Sequence, residues 1–176
     1  MAAKGFIELL RLSQRGKKNL IEHNDETYRW SGIAFEMMGQ LFVAPLGEVS
    51  EVIFPPKFTT VPKVQNWIKG IANIRGRLLS IADLACFLTG QNTANTATQK
   101  IICVSHHEHY MGLSVERVLG IQHFNKKSYF LENPDLNSKV KPYCSGYFHQ
   151  HNQMWNIFLF SRLLKDPHYM NVTEKR

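Results

Sequence analysis

The sequence predicts a mainly β protein made of small barrels or a sandwich. The chain has 176 residues, of which 44% are hydrophobic and 20% charged, a composition that suits one globular domain or two small subdomains with a shared core. Apolar and polar residues alternate along much of the chain, and turn residues recur about every 8–12 positions. The helical patterns are short, so about nine or ten short strands should dominate the fold.

The first half opens with a helical pattern and then changes to a strand pattern. Residues 5–12 have apolar side chains at helical spacing, and a polar linker over residues 13–28 follows. Alternation from Trp30 predicts a strand, and Gly39-Gln40 is the predicted turn of a hairpin into the apolar run 41–54. Pro45 and Gly47 interrupt this run, which should therefore form two short strands.

Residues 62–84 form the segment with the densest set of structural signals. Pro62 suits the first turn of a helix and Gly70 suits its end, so one or two helical turns are predicted between them. The chain then returns to strand, with a tight bend at Arg75-Gly76. Asp83 should cap a second short helix that ends at Gly90, and a polar surface loop over residues 91–99 should follow.

The second half repeats the β pattern. It predicts strands over 100–105 and 111–124, a long loop over 132–142, a hairpin over 145–160 that turns near Asn152-Gln153, and a short helix over 161–166 that Pro167 stops.

Charge and cysteine content limit the classes of function. The net charge of +7 favours contact with something negative, but the basic residues are scattered, which is typical of a solvated surface. Cys86, Cys103 and Cys144 are widely spaced and form no CxxC pair, so we expect free thiols in a reducing compartment. The N-terminus has no signal-peptide pattern, which favours the cytoplasm.

Histidines are the main candidates for chemistry. His107, His109, His149 and His151 could in principle build the metal site of an enzyme, but a hairpin turn is expected around His107, and solvated loop histidines are the better interpretation. The sequence has no nucleophile elbow and no phosphate-binding loop. We therefore predict no catalytic residue, no metal and no cofactor. A basic β-barrel that binds nucleic acid stays open as an alternative.

Arg75 is the most notable single side chain. Asn73, Arg75 and Arg77 alternate with apolar or small residues, so Arg75 should point away from the apolar face. A guanidinium there could bind a carboxylate through paired hydrogen bonds, or it could be an ordinary exposed arginine beside a turn.

The order of residues in this segment resembles the signature of the CheW family. The matching positions are Pro62, Trp67, Gly70, Asn73, Arg75, Gly76, Leu79, Ile81, Asp83 and Leu84. The resemblance extends over roughly residues 30–168, includes Glu116 at an acidic position of the family, and is strongest to the type IV pilus branch, the PilI-like proteins. It implies an N-terminal helix and linker over residues 1–24, a CheW-like domain over 25–168 and a tail over 169–176.

The resemblance implies a fold and a function. CheW-like proteins are two small five-stranded SH3-like barrels packed around a shared core. They are not enzymes; they bridge the cytoplasmic tip of a methyl-accepting chemoreceptor to the regulatory domain of a CheA-type histidine kinase. In the pilus branch this signalling controls twitching motility. The implied location is the cytoplasm, at membrane-associated receptor arrays, with no nucleic acid partner and no insertion into the membrane.

The resemblance also implies a receptor-binding site. The family's receptor-facing positions fall on Val49, Glu51 and Arg75. We expect an ion pair between Glu51 and Arg75, with apolar contact from Val49 and Ile74. The kinase-binding residues are not predicted.

Overall fold

The computed structural model describes residues 29–93, 95–106 and 109–173. The predicted N-terminal helix and linker lie outside these residues. The described chain forms eleven strands: β1 (Arg29–Met37), β2 (Gln40–Pro45), β3 (Glu51–Ile53), β4 (Ile68–Ile74), β5 (Arg77–Asp83), β6 (Lys100–His106), β7 (His109–Val115), β8 (Arg117–Asn125), β9 (Tyr129–Phe130), β10 (Cys144–Gln150) and β11 (Gln153–Phe158). The helices are α1 (Leu84–Thr89), α2 (Phe160–Leu163) and α3 (Pro167–Met170), with 3₁₀ turns at Leu46–Glu48, Lys126–Ser128 and Lys141–Tyr143.

The strands form two sheets. The first sheet has the order β8-β1-β2-β11-β10-β9, and the second has the order β3-β6-β7-β5-β4. The chain passes from the first sheet to the second through the 3₁₀ turn between β2 and β3, and it returns through β8. The prediction of a mainly β chain with two small SH3-like subdomains is confirmed, although the first sheet has six strands because the two-residue β9 joins its edge.

Three apolar clusters fill the space around the sheets. The central cluster lies between the sheets and takes Phe35 and Phe42 from the first, Ile102 and Leu113 from the second, and Leu163 from α2. The first-sheet cluster forms around Trp30, Phe124, Phe148 and Trp155. The second-sheet cluster consists of Ala72, Leu79, Ile81, Ile101, Cys103 and Tyr110. Each sheet is therefore covered on two faces, and the central cluster is shared.

Strand alternation explains this division. In β6, Ile101 and Cys103 enter the second-sheet cluster, whereas Ile102 and Val104 enter the central cluster. This strand is apolar on both faces, as expected for a strand buried on both sides.

Strand β1 also contributes to two clusters by alternation. Trp30 and Ala34 lie in the first-sheet cluster, but Phe35 and Met37 lie in the central one. The register shift in the β1–β8 pair leaves Leu119 of β8 as the extra residue, so β1 itself keeps its regular alternation.

Tight hairpins connect paired strands. The turns at Met38-Gly39, Arg75-Gly76 and His151-Asn152 each place two consecutive residues at positive φ, which is the geometry whose twist suits a two-residue β-hairpin. The second confirms the predicted bend at Arg75-Gly76. The first begins one residue before the predicted Gly39-Gln40 turn. The third begins one residue before the predicted Asn152-Gln153 turn.

The helix predicted between Pro62 and Gly70 is wrong. Lys63 has a φ of 58°, which a right-handed helix cannot include, and Val64 forms a β-bridge to Thr173. The backbone is already in β4 from Ile68 onward. Gly70 therefore lies inside a strand, at a register shift, and does not cap a helix.

The helix predicted after Asp83 is confirmed. The Asp83 side chain accepts a hydrogen bond from the Cys86 backbone N–H, and Gly90 closes α1 with a φ of 81°. The following polar loop is anchored at Thr93, which is buried and bonds to Asp83.

The C-terminal residues continue to pack on the domain. Pro167 ends the predicted terminal helix but also begins α3, where Asp166 is the N-cap. Tyr169 is buried in the central cluster, and the Val172 carbonyl accepts a hydrogen bond from the Gln65 backbone N–H at 2.9 Å. Residues 169–173, which lie in the predicted tail, are thus part of the packed structure.

Candidate functional site

One face of the second sheet has an apolar floor that polar side chains border. The floor is the second-sheet cluster, with Ile53 and Ile74 partly buried against it. Alternation places Glu51 on the same face of β3 as Ile53, and Arg77 on the same face of β5 as Leu79. Together with Arg75 and Tyr110, these residues form a polar rim around an apolar floor. We call this arrangement the Glu51–Arg75 cup, a name kept for the rim residues Glu51, Arg75, Arg77 and Tyr110 and the floor beneath them.

Glu51 is the centre of the rim. One carboxylate oxygen, Oε2, lies 3.3 Å from Arg75 Nη1, and the other, Oε1, accepts a short hydrogen bond from the Tyr110 hydroxyl. The Arg75 side chain is 82% exposed, whereas that of Glu51 is 27% exposed. The structure therefore has the ion pair that was predicted, and Tyr110 holds the carboxylate from the opposite side.

The hairpin between β4 and β5 places Arg75. This residue has a φ of 52°, and the following Gly76 has a φ of 82°. The Asn73 side-chain oxygen accepts a hydrogen bond from the Gly76 backbone N–H at 2.8 Å, which stabilises the turn from within. The guanidinium is thereby presented from a fixed hairpin tip across to β3.

Burial keeps two titratable groups of the cup, the Tyr110 hydroxyl and the Cys103 thiol, in their protonated forms. Burial, and then the hydrogen bond to Glu51, raise the pKa of Tyr110. Its hydroxyl therefore stays protonated at neutral pH and donates a hydrogen bond to the Glu51 carboxylate. Cys103 pairs with Glu51 across β3 and β6. Burial also raises the pKa of its thiol. Cys103 is thus a neutral, apolar part of the floor and not a nucleophile.

The predicted apolar residues of the site lie in different places. Ile74 packs against the second-sheet cluster, beside the ion pair. Val49 packs instead against the central cluster, although it is only two residues before Glu51 in the chain. The structure therefore brings Glu51, Ile74 and Arg75 into one cup and places Val49 next to it, toward the junction of the two sheets.

Two members of the cup, Tyr110 and Arg77, were not predicted from the sequence. Tyr110 is 6% exposed, and its ring lies 4.2 Å from the guanidinium carbon of Arg77. Arg77 follows the hairpin turn and pairs with Ile74 across β4 and β5. Its alternation with Asn73 and Arg75 is visible in the sequence, but nothing local indicates its contact with a tyrosine on β7.

Of the four histidines considered as metal ligands, the three that the structure describes are divided between the two sheets. His107 lies outside the described residues, and His109 belongs to β7 of the second sheet. His149 lies in β10 of the first sheet, and His151 in the turn after it. Within the described part of the chain, no group of histidine, cysteine or acidic side chains could hold a metal ion.

The aromatic side chains bear on the nucleic-acid alternative. Five aromatic rings at apolar-periodic positions of the sequence are buried: Phe35, Phe42, Trp67, Phe158 and Phe160. Phe87 is partly buried against the same central cluster. These rings pack on one another and are not a stacking platform for bases.

The structure also provides one observation on membranes. Across the described residues, no helix has the length and apolar character needed to cross a bilayer.

Comparison with known proteins assigns the family. A family model described as CheW-like domain matches residues 31–168. The chain belongs to the CheW-like family. A relative from Pseudomonas aeruginosa, Protein PilI, is 36% identical over 95% of this chain and 95% of its own length. Chemotaxis protein CheW from Thermotoga maritima is 28% identical over 57% of this chain and 66% of its own length.

A solved structure supports the same fold. The scaffolding protein TtCheW from Thermoanaerobacter tengcongensis superposes with a TM-score of 0.67 at 20% identity, over 80% of this chain and 90% of that chain. The two-sheet arrangement around a shared core is therefore the CheW-like fold.

Proposed function

We propose that this protein is a non-catalytic adaptor that couples a methyl-accepting chemoreceptor to a CheA-type histidine kinase. The observation that carries the proposal is the Glu51–Arg75 cup. Glu51 and Arg75 form an ion pair on the rim, and they border apolar side chains that include the partly buried Ile53 and Ile74. Such a combination suits recognition of a protein surface, because apolar contact supplies affinity and fixed charges supply orientation and specificity.

The cup is better suited to binding than to catalysis. The rim residue Tyr110 and the floor residue Cys103 both have raised pKa values because of burial, so neither supplies a base or a thiolate at neutral pH. This supports the proposal of an adaptor that is not an enzyme.

The signalling system in which the adaptor acts is proposed from the relatives. The alignment with Protein PilI spans 95% of both chains, and the sequence resembles the type IV pilus branch of the family. We infer that this adaptor controls type IV pilus twitching motility, and that it works in the cytoplasm, where receptor arrays at the membrane recruit it. Val49, beside the cup, is proposed to extend the receptor contact toward the junction of the sheets.

Arg75→Ala tests the receptor site. Exposed ion pairs contribute only about 0–1 kcal/mol to stability, so the free energy of unfolding should change little. Affinity for a receptor cytoplasmic fragment, measured by titration calorimetry, should fall roughly tenfold, because a guanidinium that orients the partner is lost.

Arg117→Ala is the matched control. Arg117 is also an exposed arginine in an ion pair, with Glu36, but it lies in the first sheet. The control variant should bind the receptor fragment as the wild type does. A folded Arg75→Ala protein with unchanged receptor affinity would contradict the assignment of this site.

A further inference from the structure

The two arginines on the rim of the Glu51–Arg75 cup differ in their charge environment. Arg75 is neutralised by Glu51 at 3.3 Å. Arg77 is exposed, and among the described residues it has no ion pair with any carboxylate. Arg77 is therefore the uncompensated positive charge of the rim.

The position of Arg77 is defined by an aromatic ring. Its guanidinium carbon lies 4.2 Å from the centroid of the Tyr110 ring. A guanidinium over a ring at this distance gains a cation–π attraction, and among the described residues its N–H groups make no side-chain hydrogen bond or ion pair. Stacking thus restricts the side chain without using its hydrogen-bond donors.

The ring itself is held firmly. Tyr110 is 6% exposed and lies in the second-sheet cluster. Its hydroxyl donates to Glu51 Oε1, so the same residue connects both halves of the rim. Arg77 is consequently presented on a rigid support, and less conformational entropy is lost when it binds a ligand.

We propose that Arg77 is a carboxylate-binding residue that recognises an acidic side chain on the receptor's cytoplasmic tip. The guanidinium fork matches a carboxylate through two parallel hydrogen bonds. Beside it, Ile74 pairs directly with Arg77 and supplies an apolar contact. The partner surface should therefore carry a carboxylate next to an apolar side chain. This inference rests on the proposed function and names the residue that selects the partner, a role for which Arg75 is less suited because its charge is already paired.

The test uses the full-length protein and a purified receptor cytoplasmic fragment as the probe. Arg77→Ala should bind the fragment roughly tenfold more weakly, and its affinity should depend less steeply on salt concentration because one charge contact is missing. Arg77→Lys keeps the charge but not the fork, so its affinity should fall by a smaller factor, about threefold. Arg29→Ala, which removes an exposed arginine from β1 of the first sheet, is the control and should bind as the wild type does.

A fourth variant checks how Arg77 is positioned. Tyr110→Phe keeps the ring under the guanidinium but removes the hydroxyl that bonds to Glu51. In this background, Arg77→Ala should still reduce affinity by roughly tenfold, because the stacking ring is retained.

The outcomes separate the two proposals. If the wild type binds the fragment and Arg77→Ala binds equally tightly with the same salt dependence, Arg77 is not the carboxylate site, and the adaptor proposal stands on Arg75. If the wild type does not bind the receptor fragment, the adaptor proposal fails, and the role of Arg77 fails with it.

Discussion

At the scale of single residues, Asp83 shows how one side chain connects several parts of the second subdomain. Its carboxylate is fully buried. It accepts hydrogen bonds from the Cys86 backbone N–H at 3.1 Å and from the Thr93 hydroxyl at 2.6 Å. The Thr93 backbone N–H at 2.9 Å and Lys69 Nζ at 3.1 Å complete its environment. Asp83 is therefore more than a helix cap, since it also fixes the loop after α1.

Thr93→Val tests this network. The substitution preserves the shape of the side chain but removes the hydroxyl donor, which leaves a buried, charged acceptor short of one hydrogen bond. We expect the free energy of unfolding to fall by about 1–3 kcal/mol, measured by urea denaturation. Thr93→Ser retains the hydroxyl and should lose less. Equal stability of Thr93→Val and the wild type would show that this bond contributes nothing.

Residue roles were predictable only where the chain itself indicates them. The Asp83 cap and the Arg75-Gly76 turn depend on neighbours in sequence, and the structure has both. The Glu51–Arg75 pair came from a family resemblance. Contacts between Arg77 and Tyr110, or between Asp83 and Thr93, depend on chain segments that only the tertiary fold brings together, so local patterns could not indicate them.

At the scale of elements, the segment between residues 62 and 70 shows a limit of periodicity. Val64, Trp67 and Ile68 have helical spacing, but three apolar residues in so short a run also fit a turn that leads into a strand. Tertiary contacts decide the outcome. Trp67 is buried in the central cluster, and its carbonyl accepts a hydrogen bond from the Asp83 backbone N–H at 2.7 Å. The chain therefore turns to pair with β5 and does not continue as a helix.

The two glycines of the β4–β5 hairpin provide a prediction at this scale. A Cβ at Gly70, where φ is 152°, would lie 2.3 Å from the Thr59 carbonyl oxygen. A Cβ at Gly76, where φ is 82°, would meet nothing within 4 Å. We expect Gly70→Ala to destabilise the protein by about 3 kcal/mol, since a backbone clash adds to the strain of positive φ. Gly76→Ala should cost only about 1 kcal/mol.

Thermal denaturation of the two alanine variants measures this difference directly. Gly76→Ala serves as the internal control, because it has the conformational strain without the clash. If Gly70→Ala were as stable as Gly76→Ala, the close approach of residue 59 to β4 would not be a constraint on the fold.

At the scale of the whole molecule, the central cluster joins the two sheets into one unit. It contains side chains from both sheets and from α1, α2 and α3. Tyr169 of α3 is 3% exposed within it, and burial raises the pKa of its hydroxyl well above the ordinary value of about 10. The alternating pattern predicted a mainly β fold, and the family resemblance predicted its two subdomains, but neither predicted the contribution of α3 to the shared core.

This burial makes stability depend on alkaline pH. The folded protein keeps the Tyr169 proton at a pH at which the unfolded chain releases it, so the stabilisation is complete below about pH 10 and is lost as pH rises toward the folded pKa. The free energy of unfolding should fall above pH 10. In Tyr169→Phe this fall should be shallower by up to about 1.4 kcal/mol per pH unit. Denaturant titrations between pH 8 and pH 11 provide the measurement, and identical slopes for the two proteins would contradict it.

An adaptor must hold both partners at the same time. The most direct measurement is therefore size-exclusion chromatography with light scattering on a mixture of this protein, a receptor cytoplasmic fragment and the regulatory domain of a CheA-type kinase. The proposed function predicts a complex that contains all three chains, and Arg75→Ala should lose the receptor while it retains the kinase domain. Absence of binding to either partner, or binding of the two only in competition with each other, would contradict the adaptor function.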